Sequence, residues 1–286
     1  MKFRLSMRIR HFLEGYIFIS LWVIGFSAFM AIPLGRSLYY AFHELNVTSD
    51  GLKATYVGWK HFQEAFTIDV KFPSRLISTI TSLFLEVPLI LIFAIFIAML
   101  LNRQFIGRGI FRGIFFLPVI VSSGAVLQRL QSDGGDSLPI FSQYNLFDVL
   151  RNVIPPEILR PLLDVLDSLT VVMWDSGVQI LIFLAGLQAI SVQLYEAAKC
   201  DGATPWESFW KITFPLLMPM ILVNTLFSIV NSFTKRDNLV MEYIQSVFKL
   251  SKFGYASALG WIYFIIIFAI IGAVFYIFRN KMSERG

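Results

Sequence analysis

Long uninterrupted runs of apolar residues constrain this chain more than any other feature of its sequence. A helix that crosses the ~30 Å hydrocarbon layer of a membrane needs about 20 mostly apolar residues, because its backbone polar groups must be hydrogen-bonded within the segment. Of the 286 residues, 56% are hydrophobic and only 15% are charged. The sequence therefore predicts an all-α, polytopic membrane protein with six transmembrane helices. The six runs are 16–42, 76–101, 110–130, 168–190, 214–233 and 257–278.

The distribution of basic residues predicts which ends of these helices face the cytoplasm. With six crossings, both termini lie on one side, and that set holds 12 Lys and Arg and 4 Asp and Glu in 51 residues. The opposite set holds 11 Lys and Arg and 12 Asp and Glu in 94 residues. Cytoplasmic loops are richer in Lys and Arg, so both termini are predicted to be cytoplasmic and the loop 131–167 extracellular. Because the basic residues flank apolar runs, the net charge of +5 indicates membrane orientation and not a nucleic-acid partner.

Residues 194–213 interrupt the apolar pattern on the predicted cytoplasmic side. The sequence VQLYEAAKCD contains good helix formers, and Gly202 follows as a residue able to close a helix in the left-handed conformation. Thr204, Pro205 and Glu207 then have the spacing of an N-cap, a first helical residue and a capping-box partner. The stretch therefore predicts two short helices joined by a sharp turn.

The second short helix carries aromatic residues at helical spacing, Trp206, Phe209 and Trp210, and ends near Lys211. Pro215 fits the first turn of the next run, and Pro219 predicts a kink in it. Such a hairpin has two interpretations. It lies among lipid headgroups, or it docks against a soluble partner, and these physical arguments alone do not decide between them.

A longer pattern in the same stretch resembles the EAA loop of permease subunits of bacterial ATP-binding-cassette (ABC) importers. The family pattern is Glu-Ala-Ala, three residues, Gly, nine residues and Ile-x-Leu-Pro, and Phe214 replaces the usual leucine here. The resemblance implies that this loop couples the permease to an ATPase. The coupling residues would be Glu196, Ala197, Ala198, Asp201, Gly202, Ile212 and Pro215.

Two more stretches resemble the sugar-permease branch of that family, which includes the maltose-type carbohydrate-uptake permeases. Residues 55–62, TYVGWKHF, resemble its Tyr-Val-Gly-Leu-x-Asn-Phe segment, with Trp59 and His61 in place of Leu and Asn. Residues 107–122, GRGIFRGIFFLPVIVS, resemble its Arg-x-x-Phe-x-Pro entry into the following helix. Together the three matches extend over most of the chain.

The resemblance implies a type I ABC importer permease fold over residues 1–286, as a single transmembrane domain. It also implies a second homologous permease subunit, two cytoplasmic ATP-binding subunits, an extracellular solute-binding protein and a sugar as substrate. No cofactor is expected in this chain, and ATP and Mg²⁺ would be bound by the ATPase. The sequence itself lacks a G-x-x-x-x-G-K-[ST] phosphate loop, so ATP hydrolysis is expected elsewhere and the chain is expected not to be an enzyme.

Polar residues inside the predicted helices are candidates for a substrate path, because ionisable groups in a membrane usually face a protein interior or a wet cavity. Two of them form a stripe on the fourth run and three form a stripe on the fifth. Helix–helix hydrogen bonds or ion pairs explain the same residues equally well, and both interpretations stay open. The candidates are Glu86, Asp175, Gln179, Asn224, Ser228 and Asn231.

Three other functions are weighed against a sugar importer subunit. An ion-coupled carrier would use Glu86 and Asp175 for its coupling charge and would need no docking hairpin. An importer permease for a non-sugar solute would have the same polar stripes. A membrane enzyme is disfavoured because the three histidines, His11, His43 and His61, have no ligand-like spacing.

Overall fold

The computed structural model of this chain describes residues 7–48, 51–121, 172–173, 175–235 and 238–283. Most of them are helical, as expected, and two π-helical turns, Ser27–Ala31 and Phe209–Thr213, interrupt the α-helices. Strands β1 (His43–Thr48) and β2 (Gly51–Tyr56) form one antiparallel hairpin. The helices are α1 (Met7–Phe26), α2 (Ile32–Ala41), α3 (Lys60–Thr67), α4 (Lys71–Asn102), α5 (Arg108–Val121), α6 (Gly177–Ala189), α7 (Val192–Cys200), α8 (Pro205–Ser208), α9 (Phe214–Leu216), α10 (Met218–Thr234), α11 (Leu239–Lys249) and α12 (Phe253–Ser283).

Three helical segments of the described residues are long and apolar enough to cross a membrane: Gly15–Ala41, Lys71–Asn102 and Phe253–Arg279. The count rises to five if each of two bent helix pairs is one crossing. These segments confirm that the chain has membrane-spanning helices. The total of six and the cytoplasmic location of both termini stay predictions. Parts of the third and fourth runs, and the whole predicted extracellular loop 131–167, lie outside the described residues.

The β-hairpin departs from the predicted all-α class. It lies with the short helix α3 between the first two apolar runs, and the short helix α11 lies between the last two. Residues 43–56 pair as β1 and β2, with His43 opposite Tyr56 and Leu45 opposite Ala54. Residues 60–67 form α3, and residues 239–249 form α11. The capping residue Asn238 fixes the start of α11, because its side-chain oxygen accepts the backbone N–H groups of Val240 and Met241.

The described chain divides into two compact units, one drawn from residues 1–79 and 233–270 and the other from residues 80–232 and 271–286. In the first unit, α12 approaches the chain that leads into β1 very closely. A Cβ atom on Gly254 would collide with the backbone carbonyl of His43 and lie 2.9 Å from Nε2 of His61. Only glycine therefore fits this contact, which brings the start of α12 against the base of the hairpin.

A single carboxylate, Asp69, joins several elements of the first unit. Its Oδ1 accepts the backbone N–H groups of Lys71 (2.8 Å) and Phe72 (3.1 Å) at the start of α4. Its Oδ2 accepts the hydroxyls of Tyr243 in α11 and Tyr255 in α12, both at 2.6 Å. Partial burial raises the pKa of Asp69, but these four hydrogen bonds outweigh it and hold the pKa below its usual range. The charged carboxylate of Asp69 therefore connects α4, α11 and α12.

The second unit has a core in which small residues of α4 meet large residues of α6. Ala94 and Ala98 are fully buried in one cluster with Ile180 and Phe183. Leu217, which lies between α9 and α10, belongs to the same cluster. Small residues spaced by four allow helices in membranes to approach closely and gain dispersion contacts. This packing holds α4 and α6 together near the predicted coupling loop, residues 194–213.

We predict that Asp69→Asn lowers the free energy of unfolding by about 1–3 kcal/mol, because a neutral amide accepts on only one of its two ends and its nitrogen repels the remaining donors. Thermal unfolding of the purified protein in detergent measures this loss. The folded-state pKa is lowered, so the stabilisation is present above the ordinary carboxyl pKa and is lost as the pH falls through the folded-state value.

The matched control is Glu44→Gln, which removes another carboxylate of the same unit. Glu44 pairs with Lys60 at 3.4 Å, and both side chains are about half exposed, so a change below about 0.5 kcal/mol is expected. Equal losses in the two variants would contradict the assigned role of Asp69.

Candidate functional site

The predicted coupling loop begins where the chain leaves α6. Ile190 and Ser191 have extended backbone conformations, and the axes of α6 and α7 differ by 64°. The direction of α6 therefore ends at this bend, and α7 takes a different course. Glu196, Ala197 and Ala198 lie on α7, and the side chains of Glu196 and Ala197 are exposed.

The end of α7 is closed by a Schellman motif at Gly202. Gly202 has φ +77°, the left-handed conformation expected from the sequence. Its N–H donates to the carbonyl of Lys199 (3.1 Å), and the N–H of Ala203 donates to the carbonyl of Ala198 (2.9 Å). Both contacts satisfy carbonyl groups that the last turn of a helix otherwise leaves unpaired. The predicted position and cause of the turn are confirmed.

The next helix, α8, starts with the predicted capping box. The hydroxyl of Thr204 accepts the N–H of Glu207 (3.2 Å), and the Glu207 carboxylate accepts the N–H of Thr204 (2.8 Å). The backbone N–H of Thr204, then its hydroxyl and then the ammonium group of Lys211 hold the pKa of Glu207 below its usual range. Caps on both sides of residues 201–204 therefore define the angle of this hairpin with local hydrogen bonds.

An aromatic group covers one side of the second arm of the hairpin. The rings of Trp206, Phe209 and Trp210 contact one another with centroid separations between 5.0 and 6.4 Å. Trp206 is 69% exposed and Trp210 is 46% exposed. The predicted aromatic face is confirmed, and much of its apolar area is uncovered in the single chain.

The arm continues through a π-helical turn and then breaks at Leu217. Ile212 lies in the turn Phe209–Thr213. Pro215 lies in the first turn of α9, as expected. The helix breaks at Leu217, two residues before Pro219, whose ring and missing N–H do not allow the usual hydrogen bond to the carbonyl of Pro215. The predicted kink therefore lies two residues before the proline.

One hydrogen bond ties the two arms of the hairpin together. The hydroxyls of Tyr195 in α7 and Thr213 in the π-helical turn are 2.8 Å apart. They border a cavity of about 560 Å³ whose wall also includes Arg103, Lys199 and Phe209. The sequence analysis missed Tyr195 and Thr213, because a separation of 18 positions along the chain gives no periodic signal. Each is a polar residue facing a core, which is the sign that would have found them.

Three candidates for a substrate path are buried between α6 and α10. With its amide nitrogen toward the backbone carbonyl of Asp175 (2.8 Å), Gln179 accepts the hydroxyl of Ser228 through its side-chain oxygen at 2.9 Å. The amide nitrogen of Asn224 donates to the backbone carbonyl of Gln179 (3.3 Å). This geometry favours helix–helix hydrogen bonding for Gln179, Asn224 and Ser228.

The other three candidates are less enclosed. Glu86, Asp175 and Asn231 are only partly buried, and each has interaction partners in the structure. The structure thus brings Gln179, Asn224 and Ser228 together as one hydrogen-bonded group. Whether any of the six residues contacts a substrate stays a prediction.

Comparison with known proteins identifies what the chain resembles. A family described as "binding-protein-dependent transport system inner membrane component" matches residues 168–285. The probable ABC transporter permease protein YesP of Bacillus subtilis (strain 168) is 32% identical over 277 residues, which cover 89% of this chain and 87% of the relative. The multiple sugar-binding transport system permease protein MsmF of Streptococcus mutans is 27% identical over 298 residues, which cover 95% of this chain and 95% of the relative. The lactose transport system permease protein LacF of Rhizobium radiobacter is 27% identical, over 82% of this chain and 78% of the relative.

Solved structures share the fold. A chain of a bacterial ABC transporter involved in the import of the acidic polysaccharide alginate superposes with a TM-score of 0.67 at 20% identity. The match covers 96% of this chain and 97% of that one. A chain of the alginate transporter in complex with a periplasmic protein bound to an alginate pentasaccharide gives a TM-score of 0.66 at 22% identity, over 99% and 98% of the two chains. At these identities the likeness concerns the fold alone.

We predict a coupling free energy of about 0.6 kcal/mol between Gln179→Ala and Ser228→Ala in a double-mutant cycle, because hydrogen bonds between membrane helices average about that value. Denaturation in mixed micelles measures it. The control cycle pairs Gln179→Ala with Thr225→Ala, since the hydroxyl of Thr225 donates within its own helix to the carbonyl of Ile221 (2.7 Å). A coupling in the control as large as in the test cycle would refute the assigned contact.

Proposed function

Because this chain belongs to the family of ABC transporter permeases, we propose that it forms one half of the translocation channel of an ATP-driven carbohydrate importer. The other half is a second, homologous permease. Two cytoplasmic subunits bind ATP and Mg²⁺ and hydrolyse the ATP, and an extracellular binding protein delivers the sugar. The chain itself takes no part in catalysis.

The relatives support carbohydrate as the substrate class. One relative of similar length carries the name of a multiple sugar-binding transport system, and another that of a lactose transport system. A further relative, from Agrobacterium fabrum, is named for the transport of sulfoquinovosyl glycerol, a sugar derivative. These names differ in the particular sugar, so we propose the class and not one compound.

The shape of the coupling hairpin carries the proposal for ATPase docking. A Schellman motif and a capping box on either side of one turn fix its angle, and a fixed angle is what a docking element requires. Both motifs occur here within residues 198–207, and they make the hairpin a rigid unit of backbone. The exposed Ala197, Trp206 and Trp210 then supply a close-approach surface and apolar area suited to a protein cleft.

We assign the substrate path to the partly exposed members of the polar group, Glu86, Asp175 and Asn231. Their positions inside the predicted runs and their partial exposure in the single chain support this choice. Gln179, Asn224 and Ser228 stabilise the path without lining it, because their hydrogen bonds hold α6 to α10. Carboxylate and amide groups suit the many hydroxyls of a sugar.

We predict that Gly202→Val reduces ATP-dependent sugar uptake at least about tenfold in vesicles that contain the complete transporter. A Cβ at Gly202 meets no atom within 4 Å, so the cost comes from the left-handed backbone, about 1–2 kcal/mol for an ordinary residue and more for a β-branched one. The variant should still insert into membranes, because the turn lies outside the apolar runs. Uptake of radiolabelled sugar with and without ATP measures the effect.

Gly202→Asn is the matched control, because asparagine tolerates this conformation and should keep most of the uptake. Normal uptake by Gly202→Val would contradict the coupling role. Uptake by the permease alone, driven by an ion gradient, would instead support a secondary carrier. Strict ATP dependence combined with a binding protein that retains a non-sugar solute would replace only the substrate class.

We also predict that Asn231→Leu changes the KM or the sugar preference of uptake, because it removes an amide from the proposed path. Asn224→Ala is the comparison: it removes a buried amide that bonds to α6 and should lower stability while leaving KM unchanged. Uptake kinetics and thermal unfolding of both variants separate the two roles. Unchanged kinetics for Asn231→Leu would place Asn231 among the packing residues.

A further inference from the structure

Two arginines at the start of α5 converge on one uncharged oxygen. Arg108 and Arg112 are one helical turn apart, and Gln188 lies at the end of α6. With its side-chain oxygen toward the arginines, Gln188 accepts Nη2 of Arg108 at 3.3 Å and Nη2 of Arg112 at 3.0 Å. A single amide oxygen thus holds two guanidinium groups close together. Like charges one helical turn apart repel each other and destabilise the helix, and a bound anion would remove that cost.

The described residues supply no such anion. No Asp or Glu among them is recorded within 4.0 Å of either guanidinium. Segment 102–112 contains Arg103, Arg108 and Arg112 and no acidic residue. The Nε atoms of Arg108 and Arg112 are screened from solvent, and they lack a hydrogen-bond acceptor in the described part of the chain. Guanidinium groups stay protonated in proteins, so this positive charge cannot be relieved by losing a proton.

Exposed apolar side chains lie near the two arginines along the chain. Ile106 is fully exposed, and Ile110, Phe111 and Ile114 are each about half exposed or more. The last three share α5 with the arginines. A water-soluble anion or an acidic peptide gains nothing from this apolar surface. A lipid matches both parts, because its phosphate meets the arginines and its acyl chains meet the isoleucines.

We propose that Arg108, Arg112 and Gln188 form a binding site for the phosphodiester headgroup of an anionic phospholipid. Arginine forks bind phosphate oxygens in pairs, and basic pockets between membrane helices are known hosts for anionic headgroups. The start of α5 adds its unpaired N–H groups and positive dipole to the same attraction. The bound lipid neutralises the arginines and stabilises the contact between α5 and α6. This site does not depend on which solute the transporter carries.

The test counts phosphatidylglycerol molecules bound to the purified full-length permease by native mass spectrometry, with phosphatidylcholine as the uncharged comparison. We expect one phosphatidylglycerol to bind at least about tenfold more tightly than any phosphatidylcholine. Arg108→Gln/Arg112→Gln should abolish that difference. Its control, Arg103→Gln/Arg279→Gln, removes the same charge from two exposed arginines and should change the affinity less than about twofold.

A second variant tests the site even if the double arginine variant does not fold. Gln188→Glu places a carboxylate between the guanidinium groups with almost no change in size. It should weaken phosphatidylglycerol binding at least about tenfold and raise the melting temperature of lipid-free protein. Unchanged lipid binding in Gln188→Glu would overturn the proposal.

Other outcomes identify a different occupant, and each of them overturns the lipid site. Equal binding of the two lipids to the wild type, or equal loss in the control variant, would mean diffuse surface charge only. Competition by inorganic phosphate at millimolar concentration would mean a free-anion site. Unchanged lipid binding together with lost assembly of Arg108→Gln/Arg112→Gln with its partner subunits would mean an acidic protein surface.

Discussion

The need to satisfy every backbone hydrogen bond in an apolar surrounding governs this structure. A helix in lipid meets that need by itself, so the chain can leave helical geometry only where other partners are supplied. The turn near the proposed ATPase contact lies outside the apolar runs, yet its helix ends are paired as well. At residues 201–204, a Schellman motif pairs the carbonyls that end α7, and a capping box pairs the amides that start α8. A sharp turn that is closed on both sides can transmit force, because bending it would break those bonds.

Buried polar groups act in two different ways in this chain. Asp69 is fully paired by two tyrosine hydroxyls and two backbone amides, and Gln179 and Ser228 pair with each other. Such closed groups hold helices together and need nothing from outside. Arg108 and Arg112 form an open group, because their charge is matched only by the dipole of Gln188 within the described residues. We infer that an open group of this kind binds a partner outside the described residues.

The functional proposal combines both kinds of evidence. Membership of the permease family places the chain in a membrane transporter, and we propose that the hairpin at residues 194–213 couples it to an ATPase. The polar residues inside the helices then divide by burial. Those bonded between α6 and α10 position the helices, and we propose that the less buried Glu86, Asp175 and Asn231 line the substrate path. This division would not have been possible from spacing alone, because Asn224, Ser228 and Asn231 all lie on one helical stripe.

The sequence by itself determined the elements that depend on local physics. Apolar length predicted the helical segments, and the spacing of Gly202, Thr204 and Glu207 predicted the turn with its caps, because each of these features is decided within a few residues of the chain. The tertiary structure decided what depends on distant partners. The pairing of β1 with β2, the tie from Asp69 to Tyr243 and Tyr255, and the convergence of Arg108 and Arg112 on Gln188 join residues up to 186 positions apart. No local pattern encodes such contacts, because they arise only when packing brings the separate elements together.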